Sequence, residues 1–187
     1  MGDERSRRDE LYAELERLPP NVVGEIVGGE LHVSPRPASP HAFATSVLGG
    51  ELMRPFVRGL GGPGGWNILD EPELHLGQEV LVPDLAGWRR ERMPELLPTA
   101  HFTLAPDWVC EMLSPSTAVL DRTRKMAVYA REAVKHLWLV DPLLRTLEVY
   151  RLEAGRWLLL DTHVGSVTVR AEPFDALELE LGALWMR

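Results

Sequence analysis

Two stretches of this chain, residues 79–88 and 107–113, read as strands that are apolar on both faces, yet each carries a carboxylate. In the first, Val80, Val82, Ala86 and Trp88 share strand parity with Asp84, while Leu81 and Leu85 take the other side. In the second, Val109 and Leu113 lie on the face of Glu111, with Trp108, Cys110 and Met112 opposite. Strands of this kind are central and covered on both sides. An ionised carboxylate in such a place is costly unless it is paired, hydrogen-bonded or bound to a metal. Two of them facing each other also repel, and a divalent cation removes both problems at once. The pattern points to a metal-dependent enzyme.

The remaining pattern predicts an α+β chain rich in strands. Leu11, Leu15 and Leu18 stand at helical spacing and end at Pro19-Pro20, which predicts a short amphipathic helix over 8–18. Residues 22–27 and 31–33 flank Gly28-Gly29 as a hairpin. A helix is expected from Ser39 or His41 to about Val57, with Ser39 as N-cap and Pro40 in the first turn. The glycine-rich run 59–65 predicts a loop, followed by strands at 66–70, 74–76, 80–88 and 108–113. A long loop is expected at 89–106, which contains Pro94, Pro98 and Pro106. Ser114-Pro115-Ser116-Thr117 then leads into a helix with Leu120, Met126, Tyr129, Ala130 and Ala133 as its apolar stripe, Ser116 or Thr117 capping it. A strand at 136–140, a hairpin of 146–151 with 157–162, and C-terminal strands ending at 174–181 complete the chain. Neither an internal repeat nor a linker is visible, so a single domain over 1–187 is expected.

Composition narrows the functional classes. With 187 residues, 45% hydrophobic and 26% charged, the chain fits one ordinary globular domain. No apolar run approaches the roughly 18 residues needed to span a bilayer, and the charged N-terminus has no apolar stretch behind it. Cys110 has no partner for an internal disulfide and reads as a small core residue, so a cytoplasmic location is expected. A net charge of −8 argues against tight nonspecific nucleic-acid binding. Its distribution softens that objection: Arg122, Arg124, Lys125, Arg131 and Lys135 cluster together, as do Arg89, Arg90 and Arg92.

A family resemblance rests on an ordered set of motifs. Val82-Pro83-Asp84 is followed by Val109-Cys-Glu-Met-Leu-Ser-Pro-Ser-Thr117, then by Asp121-Arg-Thr-Arg-Lys125 with Tyr129, and by Leu137-Trp-Leu-Val-Asp-Pro142. With the opening Gly24-Glu25-Ile-Val-Gly-Gly-Glu30 and Ser34-Pro-Arg-Pro-x-x-Pro-His41, this string resembles the Uma family of restriction-endonuclease-like proteins, within the PD-(D/E)xK nuclease superfamily. The resemblance covers about residues 20–150. It implies a restriction-endonuclease-like core, a mixed β-sheet flanked by helices. One departure matters: a literal ExK motif places Leu113 where lysine should stand. The resemblance implies a migrated lysine, Lys125, on the following helix. The simpler alternative is that Lys125 only pairs with Asp121 at i,i+4.

The resemblance further implies that Asp84, Glu111 and the backbone carbonyl of Met112 hold Mg²⁺, with Mn²⁺ as a substitute, and that Lys125 assists a water attacking a DNA phosphodiester. Glu25 matches an additional acidic residue of such nucleases, or is a hairpin surface charge. His41, Arg122 and Arg124 are candidates for nucleic-acid contact. Glu71 and Glu73 are weaker acidic candidates, better read as surface charges at a turn. His32, His75, His101, His136 and His163 lack HxxxH or HxH spacing, which disfavours zinc. Neither a GxSxG elbow nor a GxxxxGK[ST] loop occurs. The expectation is a Mg²⁺-dependent endonuclease acting on DNA, plausibly as a homodimer because cutting both strands uses two active sites. Its rivals are a noncatalytic nucleic-acid-binding or protein-interaction domain on the same fold, and a phosphoesterase acting on RNA or a nucleotide.

Overall fold

The computed structural model describes residues 2–96 and 98–185. The expected loop at 89–106 and the expected C-terminal strands at 151–187 extend over Leu97, Met186 and Arg187, which lie outside the described residues, as does Met1. The first half runs α1 (Gly2–Glu16), β1 (Val22–Val27), β2 (Glu30–Pro35), α2 (Ser39–Leu52), a π-helical turn (Met53–Val57), β3 (Trp66–Asp70), β4 (Leu74–Leu76), β5 (Glu79–Leu81) and β6 (Leu85–Arg89). The second half runs β7 (Trp108–Met112), α3 (Ala118–Leu120), a π-helical turn (Asp121–Lys125), α4 (Met126–Arg131), β8 (His136–Asp141), β9 (Thr146–Glu153), β10 (Arg156–Val164), β11 (Thr168–Val169), β12 (Leu179–Glu180) and a 3₁₀ turn (Leu181–Leu184).

The strand expected at 80–88 is two strands. β5 belongs to a four-stranded antiparallel sheet ordered β2-β1-β5-β4, whereas β6 belongs to a six-stranded sheet ordered β10-β9-β8-β7-β6-β3. The break falls at Val82-Pro83-Asp84, where proline has no N–H to give to a ladder. Asp84 therefore sits at the junction of the two sheets, and its carbonyl accepts from Glu71 N at 3.1 Å.

The large sheet is mixed through one pairing. β7 and β8 are parallel, in register from Trp108↔His136 to Met112↔Val140, while the other pairings within that sheet are antiparallel. A parallel pair needs a crossover, which the helical segment 118–131 supplies. That segment must pack back on the sheet, and it brings the Asp121–Lys125 turn over the end of β7.

Both faces of the sheet are covered, as the two-sided apolar pattern predicts. Trp108, Cys110 and Met112 join Ala44, Leu48 and Leu52 of α2, Trp138 and Phe174 in one core. Val109 and Leu113 join Val128 and Tyr129 of α4, Leu81, Ala86 and Trp88 in the other. Glu111 shares the parity of Val109 and Leu113 and points to the α4 side. In β6, Gly87 is squeezed between aromatic rings, since a Cβ there would stand 3.2 Å from Trp66 Cε3 and 3.2 Å from Trp108 Cε3.

Three local expectations need correction. Ala38, not Ser39, is the N-cap of α2, and no side chain caps it; Pro40 does fall in the first turn. Neither Ser116 nor Thr117 caps α3 by a side-chain hydrogen bond, though Thr117 occupies the cap position. The segment 174–181 contains only the two-residue β12, paired with β11, before the 3₁₀ turn. Phe174, Leu181 and, just beyond the segment, Leu184 serve the core as packing residues rather than as a ladder, and Leu179 does both.

Candidate active site

Three acidic side chains converge on one lysine, and a fourth lines the cavity beside it. Lys125 Nζ lies 2.9 Å from Glu25 Oε1 of β1, 2.9 Å from Glu111 Oε1 of β7 and 3.4 Å from Asp121 Oδ1 one turn earlier in its own helix. Asp84, at the sheet junction, completes the acidic set and lines the same cavity of about 250 Å³. Lys125 is 2% exposed, Glu111 2% and Asp121 3%, so these charges are almost fully removed from water. The i,i+4 pairing of Lys125 with Asp121 is thus real, but it is the longest of three contacts rather than the whole role of the lysine.

Each carboxylate is oriented by a separate contact. Asp84 Oδ2 accepts from Met112 N at 2.7 Å, tying the acid of the sheet junction to the backbone next to Glu111. Its other oxygen bonds His41 Nε2. Glu25 Oε1 accepts from Val82 N at 2.8 Å, which links β1 to the segment carrying Asp84. Tyr129 OH donates to Glu111 Oε1 at 2.5 Å from one helical turn beyond Lys125. The π-helical turn at 121–125 widens the helix where Asp121 and Lys125 must both face inward; such turns concentrate at functional sites.

Acidic groups outnumber basic ones here, and burial shifts the titration of several. Burial pushes the Glu111 carboxyl well above its ordinary range, opposed by Lys125 and reinforced by Asp121, Asp84 and Glu25. Asp121 is raised for the same first reason, again against the pull of Lys125. For Lys125, burial disfavours the ammonium, but Glu111, Glu25, Tyr129 and Asp121 together outweigh it and raise its pKa well above the usual lysine value. Tyr129 is raised by burial and then by Glu111. The site therefore holds a protonated lysine among acids of which burial holds two above their ordinary range, a cluster of carboxyl oxygens suited to a further cation.

The structure brings Asp84, Glu111, Lys125, Glu25 and His41 together, and the backbone of Met112 borders the same cavity. Arg122 and Arg124 lie elsewhere. Arg122 makes a bidentate pair with Glu148, at 2.8 and 2.5 Å, and Arg124 pairs with Glu30. Arg36 on the cavity rim is likewise bonded to Glu71, at 2.6 Å. Asp121 and Tyr129 stand in the family motif string without a site role of their own, Asp121 as the i,i+4 alternative partner of Lys125 and Tyr129 in the apolar stripe; both belong to the site. Their signal was a pair of polar atoms four and eight residues apart on the helical face that packs on Glu111. A second group, missed from ligand spacing alone, joins Glu73 and His75 to the distant His101.

Comparison with known proteins agrees with this architecture. A crystal structure described as a "putative nuclease belonging to DUF820" from Anabaena variabilis superposes with a TM-score of 0.73 at 22% identity, covering 94% of this chain and 96% of that one. At that identity the likeness shows the fold. No functionally curated protein matches significantly. Residues 9–182 match the Uma2 family, described as "Putative restriction endonuclease". That match spans nearly the whole chain, both sheets and every residue of the acidic site, and the protein belongs to the Uma2 family.

Proposed function

We propose that this protein is a Mg²⁺-dependent endonuclease hydrolysing DNA phosphodiester bonds, with Asp84, Glu111 and Lys125 as its catalytic centre. The observation that carries this reading is the convergence of Glu25, Glu111 and Asp121 on the buried Lys125, with Asp84 lining the same solvent-connected cavity. Buried acids in such excess are costly without a further cation, and their oxygens are the hard donors that Mg²⁺ prefers. The residues present fit that ion: Asp84, Glu111 and the Met112 carbonyl would hold it, with Glu25 near by. When bound, Mg²⁺ would polarise the scissile phosphate and lower the pKa of a water.

The side chains of this chain supply the rest. Lys125, with its raised pKa, stays an ammonium at neutral pH, so its role is to orient the attacking water and offset charge growing on the phosphate oxygens. Tyr129 holds Glu111 in place. His41 holds Asp84. A homodimer would place two such sites on opposite strands of a duplex.

One observation favours a second reading, a noncatalytic interaction domain. Arg36, Arg122 and Arg124 are each paired with an acid, which reduces the positive charge offered to a phosphate backbone.

Cleavage of supercoiled plasmid and single-stranded DNA in Mg²⁺ or Mn²⁺ tests the proposal, with wild type beside Asp84→Asn, Glu111→Gln and Lys125→Met. Metal-dependent nicking lost in all three folded variants supports it. Loss in the two carboxylate variants alone makes Lys125 a structural partner. No cleavage by wild type, with no Mg²⁺ binding by calorimetry, decides for the noncatalytic domain.

A further inference from the structure

We propose a second, separate metal site for a Zn²⁺-class cation, formed by Glu73, His75 and His101. One ligand atom from each lies within 4.8 Å of the other two, although His101 is far from the others in sequence. None of the three lines the Asp84–Glu111 cavity.

The backbone presents these donors together. Glu73 precedes β4 and His75 lies within it, two residues apart and so on one strand face. Leu74 and Leu76, on the opposite face, are buried at 0% and 2% and anchor the strand in the core. Across from β4 the segment around Phe102 is bonded on both sides: His75 N donates to Phe102 O at 2.8 Å, and Phe102 N donates to Glu73 O at 2.9 Å. The Phe102 ring packs on Trp88 with centroids 5.0 Å apart, which fixes the residue that carries His101 into place. The His75 and His101 rings are consequently neighbours, stacked with centroids 4.0 Å apart and planes 21° from parallel.

The donor chemistry selects the ion. Two imidazoles and one carboxylate match the set that holds zinc in sites with an open position, whereas Mg²⁺ prefers an all-oxygen shell. Tetrahedral ligands at the usual zinc distances stand roughly 3.3 Å apart, so the two rings must swing out of their stack about χ1 and χ2 for their in-plane nitrogen lone pairs to meet at one ion. In the metal-free protein, His75 Nε2 and Glu73 Oε1 share a hydrogen bond at 2.6 Å. Metal binding replaces that bond by two coordinate bonds. Glu73 and His101 are accessible enough for water to complete the shell. The bound ion would staple the long 90–107 connection to β4.

Calorimetry with Zn²⁺ on the full-length chain tests this, in the Asp84→Asn/Glu111→Gln background so that the catalytic acids do not compete for the ion. A single equivalent bound, undisplaced by excess Mg²⁺ and lost in both His75→Ala and His101→Ala, is the expected result. Co²⁺ in place of Zn²⁺ should give a visible absorption band that disappears in the same variants, and Zn²⁺ should slow proteolysis within 90–107. Absence of Zn²⁺ binding in that background overturns the proposal. So does binding that survives His101→Ala, an exposed position whose replacement leaves β4 and its core contacts unchanged.

Discussion

Lys125 Nζ sits 2.9 Å from Glu25 Oε1, joining the crossover helix to the first strand of the N-terminal hairpin across the end of β7. The same nitrogen is 2.9 Å from Glu111 Oε1, so one ammonium closes the small sheet, the large sheet and the helix upon each other. Both partners are nearly inaccessible to water, Lys125 at 2% and Glu25 at 6%. A cation buried this deeply stabilises only because its acids surround it.

Lys125→Met leaves Glu25, Glu111 and Asp121 without their common partner. Breaking a buried ion network from one side costs about 3–5 kcal/mol, and urea unfolding at neutral pH should show a loss of that order. Protonating the orphaned acids removes the uncompensated charge, so the deficit relative to wild type should shrink as the pH is lowered. A deficit independent of pH would mean that lost packing, not lost charge, explains it.

Tyr129→Phe removes the hydroxyl that donates to Glu111 at 2.5 Å and leaves the ring in the core. Leaving a buried group short of its hydrogen-bond partner costs about 1–3 kcal/mol, so thermal unfolding should shift down by a corresponding amount. If Glu111 acts in hydrolysis, kcat should fall while KM changes little, because the substrate meets the same surface.

Mg²⁺ affinity should rise with pH above the ordinary carboxylate range. Burial raises the Glu111 carboxyl, so between pH 4.5 and its folded pKa the metal-free protein keeps a proton that the ion must displace. The sign for stability is opposite. Here the folded state binds more protons than the unfolded chain, so metal-free stability declines as pH rises through that window. Calorimetry in two buffers of different ionisation enthalpy would count the released proton; equal heats in both would show Glu111 already ionised.

Gly87→Ala forces a methyl group between the Trp66 and Trp108 rings, 3.2 Å from each. Both rings are buried in the main core, where overpacking costs about 1–3 kcal/mol. Chemical denaturation should report that loss. Glu111 lies on the other face of the sheet, so metal binding by the folded variant should be unchanged.

The alternation of residues around Glu111 made the site legible before any fold was known. Trp108, Cys110 and Met112 do face one core and Val109 and Leu113 the other, so two-sided apolarity correctly marked a covered central strand. Asp84 was found by the same signal, although its strand was misread as continuous. The apolar pattern runs on through Val82 and Pro83 because the chain passes from one buried sheet into another, and periodicity does not register a change of partner. The motif string from Asp121 to Tyr129 located the helical lysine, which strand spacing alone could not.

Sequence by itself determined the covered strands, Glu111 as a costly acid within one of them and Asp84 beside another, and the helix that follows β7. Those follow from local periodicity and from the cost of burying charge, which every neighbour along the chain reports. Tertiary structure alone decided what surrounds Lys125. Glu25 reaches it only because β1 pairs with β5 and Val82 N holds its carboxylate, and Tyr129 reaches Glu111 only because the crossover folds back on the sheet. The fates of Arg122 and Arg124, paired with Glu148 and Glu30, and the meeting of His75 with His101 were set in the same way. In each case the partners are distant in sequence, and their contact depends on how sheets and connections pack rather than on any spacing along the chain.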